Sequence, residues 1–232
     1  MSRDIARGAR ARARIEITAA IKDEARRQLA EEGAAKLSLR AVARALGMVS
    51  SALYRYFPSR DDLLTALIID AYDSLGEAAE SAAAAVADAP PARRWTEVCE
   101  AVRHWALAHP HEYALIYGSP VPGYSAPMTT VPPAARVGRL CFAIVGDAHR
   151  AGVLTEPPVP AALRDEAARM AADLAPDLPP ETVTALVAAW AQLFGLVNFE
   201  LFGQFNRVVE GREEFFRHAA LRLAEGVGLP LT

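Results

Sequence analysis

Apolar positions at helical spacing dominate the chain. Ile17, Ile21, Ala25 and Leu29 recur every four residues on one face, and Gly33 follows as a stop, so the pattern predicts a first helix from about Ala11 to Glu32. Ser38 is a good N-cap for a short second helix that turns Leu39, Val42 and Leu46 inward and ends at Gly47. A third short helix, from about Ser50 to Tyr56, buries Leu53 and Phe57 before Pro58 closes it. Ser59 and Asp62 then make an S-x-x-D capping pattern for a fourth helix that reaches the alanines near 85.

Beyond Pro90 and Pro91, helical patterns alternate with proline breaks. Helices are expected near 92–108, 111–117, 129–151, 161–174, 180–203 and 212–226, with loops at 118–127 and 155–160. No stretch reads as a run of strands, so the expected fold is all-α, a helix-turn-helix head followed by a larger helical domain. The division expected is 1–58, with a loose basic arm over residues 1–9, and 59–232.

With 52% hydrophobic residues in 232 positions, the chain has ample material for a core. Thr182–Phe199 is free of charge and approaches the length of a membrane span. Gln192 and Asn198 interrupt it and Glu181 and Glu200 close it without flanking basic residues, which fits a helix buried in a core or subunit interface and no membrane. The N-terminus is basic but lacks the apolar segment of a signal peptide, and Cys99 and Cys141 form no C-x-x-C pair. A cytoplasmic protein with buried reduced thiols is expected.

Charge changes the picture more. Residues 1–60 carry 13 Lys/Arg against 6 Asp/Glu, whereas residues 61–232 carry 12 against 22, so a +7 segment is joined to a −10 remainder. One end is suited to a polyanion and the other is not. Within the basic segment, "GMVSSALYRYFPSR" (47–60) crowds two tyrosines, a phenylalanine and two arginines behind a glycine. The aromatics are either core with solvated arginines at the edge, or part of a surface that lies against phosphates.

A short helix, a glycine turn and a second short helix form the pattern of a helix-turn-helix, whose second helix enters the DNA major groove. With Leu53 and Phe57 inward, Ser50, Ser51, Tyr54 and Arg55 fall largely on other faces, and their side chains can bond phosphates or base edges. Arg60 opens the next helix, where free N–H groups also favour a phosphate.

The stretch "KLSLRAVARALGMVSSALYRYFPSRDDLLTALI" (36–68) closely resembles the DNA-binding domain of tetracycline-repressor (TetR) family regulators. Ala43 and Gly47 of the turn, Leu53-Tyr54, Tyr56-Phe57, Arg60 and Leu63-Leu64 carry the resemblance, which extends over residues 12–70. It implies that Ser38, Arg40, Ser50, Ser51, Tyr54, Tyr56 and Arg60 face DNA, with Arg55 as a further contact. Arg40 and the serines are then the candidates for base contacts, and Tyr54, Tyr56 and Arg60 for phosphates. Val49 stands where the family often has a capping Ser or Thr, so that cap moves to Ser50 or is lost. Arg3, Arg7, Arg10, Arg12 and Arg14 either add phosphate or minor-groove contacts or form a solvated tail.

One reading head makes few base contacts, so two-fold pairing is expected. Leu186, Trp190, Leu193, Phe194, Val197 and Leu201 recur at helical spacing, and Phe215 and Phe216 follow in the last helix. The resemblance implies a homodimer through these two helices, with Leu186, Trp190, Leu193, Val197, Leu201, Phe215 and Phe216 at the interface, although an intramolecular core would show the same pattern. Residues 93–127 are rich in Trp, His and Tyr and resemble one group of C-terminal domains in the family. They form either an effector cavity or helix packing, and Trp105, Tyr113, Tyr117 and Phe194 are the candidate ligand contacts.

His109-Pro-His111 and His104 have no metal-ligand spacing, and no nucleophile elbow is present, so neither a metal, a cofactor nor catalysis is expected. The sequence therefore points to a ligand-responsive, sequence-specific DNA-binding regulator, a repressor rather than an activator, with double-stranded DNA and a small-molecule effector as partners. The alternatives are a non-specific architectural DNA-binding protein and an all-helical small-molecule binder without DNA affinity.

Overall fold

The computed structural model describes residues 2–231, the side chains of residues 2–7, 9 and 10 excepted. It is all-α, with eleven α-helices and no strand among the described residues. The helices are α1 (Ser2–Glu32), α2 (Leu39–Ala45), α3 (Ser50–Leu53), α4 (Arg60–Ala85), α5 (Pro91–Ala108), α6 (Pro110–Tyr117), α7 (Val131–Ala134), α8 (Arg136–Arg150), α9 (Arg164–Leu174), α10 (Pro180–Leu201) and α11 (Arg212–Gly226).

The chain divides into two compact units, Met1–Ala71 with His111–Val131, and Tyr72–Pro110 with Pro132–Thr232. In the first, Ile21, Ala25 and Leu29 of α1 meet Val42 and Ala43 of α2, Leu53 and Phe57, and Leu63, Leu64 and Leu67 of α4 in one buried cluster. Leu115, Val121 and Tyr124 of the returning segment pack against the same cluster. Tyr124 is also tied to Thr65 of α4 by a 2.9 Å hydroxyl–hydroxyl hydrogen bond. On the flank, Asp70 accepts from Lys22 and Arg26, each at 2.8 Å, and Arg26 also meets Glu112.

The second unit is centred on α5, which packs on α8, α10 and α11, while α9 lies on α10. Cys99 and Cys141 are buried free thiols there, and burial pushes Cys141 up to about 12 and Cys99 up as well. Arg103 of α5 forks onto both carboxylate oxygens of Glu200 at 2.7 and 2.6 Å, with the Phe216 ring 5.5 Å from its guanidinium carbon. Arg136 opens α8 and grips α4 in the same way, with both Glu80 oxygens and the Asp73 carbonyl as acceptors. A side chain at Gly76 would collide with Arg136, so the glycine admits this approach.

Three elements differ from the expected ones. Helical backbone in α1 begins at Ser2, where a loose arm over residues 1–9 was expected. The expected helix at 129–151 is broken into a 3-10 turn at Met128–Thr130, α7 and α8, because Pro132 and Pro133 have no N–H to donate. The third helix has a single α-turn, Ser50–Leu53. Arg55 and Tyr56 then bond three residues back, to Ala52 and Leu53, which tightens the chain ahead of Pro58.

Candidate nucleic-acid interface

The second and third helices are set by their ends. Ser38 caps α2 with its Oγ accepting from the Ala41 N–H at 3.4 Å, a long bond. At the other end, Gly47 lies at φ 65°, its N–H bonds the Arg44 carbonyl, and the Met48 N–H bonds the Ala43 carbonyl at 2.8 Å. This paired closure needs the left-handed region at its centre, which is why glycine stands there. α3 starts two residues later. Val49 occupies the N-cap and offers no side-chain acceptor, so the cap is lost rather than moved to Ser50.

Leu53 and Phe57 lie in the core and fix the roll of this segment. Ser51, Tyr54 and Arg55 are then exposed, Ser50 and Tyr56 are half-buried, and Arg40 stands exposed on α2. A shallow groove of about 460 Å³ brings Ser38, Arg40, Tyr54 and Arg60 together, with Ser59 at its edge. Ser50, Ser51, Arg55 and Tyr56 lie outside that groove. Tyr56 instead packs against the core and lies under Arg14, whose guanidinium carbon is 5.4 Å from the ring centre.

The start of α4 has the expected capping box. Ser59 Oγ accepts from the Asp62 N–H at 3.1 Å and donates to its carboxylate at 2.7 Å. Arg60 is half-buried, and its donors already have acceptors. Nη2 bonds the carbonyls of Ala34 and Ala35 and Nε bonds that of Leu37, while Nη1 lies 3.5 Å from Asp61. Sequence reasoning could not see these bonds, because the acceptors are backbone carbonyls more than twenty positions away.

Cations in the first unit fall into two groups. Lys22, Arg26, Arg27 and Arg60 pair with carboxylates. Arg12, Arg14, Lys36, Arg40, Arg44 and Arg55 pair with none among the described residues, so they supply the uncompensated positive charge. Arg3, Arg7 and Arg10 have side chains outside the described residues.

The four candidate ligand residues are divided between the units. Tyr113 is fully buried in the first, 5.2 Å from the Tyr117 ring, and burial pushes its phenol up. In the second, the indole N–H of Trp105 donates to Ser74 at 2.9 Å and its ring stacks on His109, while Phe194 is buried edge-on to Trp190.

Of the candidate dimer residues, Leu186, Leu193, Val197 and Phe216 are in the core of the second unit, and Leu201 is half-buried. Trp190 and Phe215 stand about 40% exposed. Phe215 continues into Phe205 and Phe199 at ring spacings of 5.5 and 5.6 Å, and Phe199 and Phe202 are about half exposed. Phe199 ends the same apolar run and Phe202 caps the helix just beyond it, and strict spacing from Leu186 passes over both. α10 is long and apolar enough to cross a membrane, yet its Leu186, Leu193 and Val197 face are spent on intramolecular packing. No group of three metal-ligating side chains occurs among the described residues.

A family model described as bacterial regulatory proteins, tetR family, matches residues 21–67, and one described as tetracyclin repressor-like, C-terminal domain, matches residues 95–223. The HTH-type transcriptional regulator Rv1816 of Mycobacterium tuberculosis is 41% identical over 210 residues, which cover 86% of each chain. The crystal structure of SCO4313, a protein named for a regulatory role, superposes with a TM-score of 0.74 at 35% identity over 92% of this chain and 98% of its own. RolR, solved with its ligand resorcinol, shares the fold at a TM-score of 0.54 and 17% identity, over 96% of this chain and 98% of its own.

Proposed function

Because the chain belongs to the tetracycline-repressor family of bacterial transcriptional regulators, whose members bind DNA through a helix-turn-helix, we propose that it is a ligand-responsive repressor acting as a homodimer on a two-fold symmetric operator. The observation that carries this reading is the Gly47 turn. With Leu53 and Phe57 locked in the core, it turns Ser51, Tyr54 and Arg55 to solvent, Tyr54 in one groove with Arg40, within the segment 1–60 that carries 13 Lys/Arg against 6 Asp/Glu. Residues 1–58 form the DNA-binding domain and 59–232 the ligand-binding and dimerisation domain. The proposed DNA contacts are Ser38, Arg40, Ser50, Ser51, Tyr54, Arg55, Tyr56 and Arg60.

Two recognition helices enter successive major grooves about 34–36 Å apart, or somewhat more. Trp190, Leu201 and Phe215 join the two copies, with Leu186, Leu193, Val197 and Phe216 supporting that surface from beneath. Within the second unit, Trp105 and Phe194 contact a small apolar or aromatic effector, a class supported by the resorcinol held by the similarly folded RolR. The effector acts by binding one head spacing more tightly than the other, and a few kcal/mol of difference is enough. The protein works in the cytoplasm, without a membrane, metal or cofactor, and carries out no reaction.

Selection of bound fragments from a random duplex library, with titration of the winner against scrambled DNA at near-physiological salt, tests this. A symmetric site preferred by about a thousandfold or more is the expected result. Equal weak binding to every duplex would indicate an architectural protein, and no binding at all a small-molecule binder.

A further inference from the structure

The first unit holds a cleft of about 410 Å³ where the end of α1 and the turn after it meet the returning segment. Leu29, Leu115 and Val121 line it, and all three are also part of the core cluster or packed on it, so the cleft is preformed. Gly33, Ala34 and Ala35 carry nothing larger than a methyl, which makes that wall backbone, and Pro120 and Pro122 add ring faces. No Lys, Arg, Asp or Glu side chain lines it. In this it differs from the groove of Arg40 and Arg60 and from the one that Lys22, Arg26 and Asp70 line. Its polar side chains are His111 and Ser119, which make no hydrogen bond among the described residues.

These features select the occupant. The carbonyls of Gly33, Ala34 and Ala35 already accept, from the Lys36 N–H, the Leu37 N–H and Arg60. A peptide or a second copy of the chain brings polar backbone groups at every residue, and the cleft has two side chains to pair with them. A charged ligand would give up water for walls without a counter-charge. We infer that the cleft is a small-molecule site inside the DNA-reading unit, taking a flat, uncharged, largely apolar molecule whose single hydroxyl is held by His111 and Ser119. Imidazole and hydroxyl can each donate or accept, so together they satisfy both the hydrogen and the oxygen of that group. The site is separate from Trp105 and Phe194, which belong to the second unit. Its ligand lies against Ala34 and Ala35, the turn that Arg60 holds ahead of α2, so occupancy alters how the head presents Arg40. That coupling rests on the DNA-binding role proposed above, and the site itself does not.

The test titrates 1-naphthol, a flat uncharged ring system with one hydroxyl, into the full-length protein with labelled Ala, Leu and Val methyl groups. Saturable shifts at Leu29, Ala34, Ala114, Leu115 and Val121 are expected. No binding, or shifts confined to the second unit, overturns the inference. His111 and Ser119 are exposed, so H111A/S119A leaves the fold intact, and it should bind 1-naphthol at least about fivefold more weakly, as two hydrogen bonds are lost. Naphthalene and 1-naphthoate should each bind the wild type at least about fivefold more weakly than 1-naphthol. Naphthalene binding as tightly removes the role of His111 and Ser119, and tighter naphthoate binding overturns the uncharged class. At a concentration that fills the wild-type cleft, 1-naphthol should change operator affinity by at least about threefold in the wild type and by less in H111A/S119A. An equal change in both would place the coupling elsewhere and overturn it for this cleft. If the wild type prefers no operator, the regulator reading fails, yet the methyl shifts still decide whether the site exists.

Discussion

Arg60 donates from Nη2 to the carbonyl oxygen of Ala34 at 2.8 Å, so the first residue of α4 holds the backbone turn that leads into α2. With the bond to Leu37, this makes a fork between two segments of the head. Replacing Arg60 by alanine is expected to destabilise the protein by about 1–3 kcal/mol, since hydrogen bonds from a charged donor are among the stronger ones. Lysine separates the two roles available to this side chain. It keeps a charge for a phosphate but lacks the fork. Urea unfolding and operator affinity, measured together, should show R60K losing stability like R60A. If R60K matches the wild type in both, the fork is unimportant.

Val49 sits in an N-cap with extended backbone, φ −70° and ψ 138°, and is 69% exposed. A serine there can accept from the open N–H groups of α3. Val49→Ser should therefore stabilise the protein by about 0.5–1 kcal/mol, seen as a raised Tm. A Tm that falls or stays put would show that α3 gains nothing from a cap.

These two sites also mark how far the sequence was legible. The spacing of Ile21, Ala25 and Leu29 and the glycine at 47 are local signals, and both describe the structure well. The residue type at Val49 left open whether the cap moves to Ser50 or is lost, and the structure shows it lost. By contrast, helical spacing shows that Leu186, Leu193 and Val197 want burial but not what buries them, and in the structure the chain's own core does so. Nor does any local pattern reveal that Val121 and Tyr124 pack against a cluster built from residues before 68. Such pairings depend on how distant segments meet. The exposure of Ser51, Tyr54 and Arg55 after the turn was legible because Leu53 and Phe57 leave the segment only one way to roll.

The Arg103–Glu200 pair is nearly closed to solvent, at 10% and 6% side-chain exposure. Arg103→Met alone leaves a buried carboxylate without its partner and should cost about 3–5 kcal/mol. The double variant R103M/E200L removes both charges and should recover most of that loss. Denaturant midpoints of the single and double variants check this. A double variant as unstable as R103M would mean that the pair contributes through geometry that apolar side chains cannot replace.

Gly228, at φ 91°, has the Thr155 carbonyl oxygen 1.9 Å from where a Cβ would stand, and Thr155 donates its N–H back to the Gly228 carbonyl at 2.9 Å. Alanine there meets both a strained backbone and a collision, for an expected loss of about 2–4 kcal/mol. Gly226, two residues earlier and open on all sides, gives the opposite sign. Gly226→Ala should be neutral or stabilising by up to about 1 kcal/mol. Thermal unfolding of the pair reads out the difference, and equal shifts would contradict the close approach.

The return of His111–Val131 to the unit begun by Met1–Ala71 has a consequence for the order of events at the ribosome. A nascent chain that has emerged only as far as Ala71 holds α1, α2 and α3 but lacks Leu115, Val121 and Tyr124, and the cluster around Leu64 is uncovered on the side they occupy. At about 5–20 residues per second, the intervening sixty or so residues take roughly 3–12 s to appear. For that interval the DNA-reading end exists as an unfinished body with apolar surface open to water. It is completed only after the first stretch of the other unit has already been made.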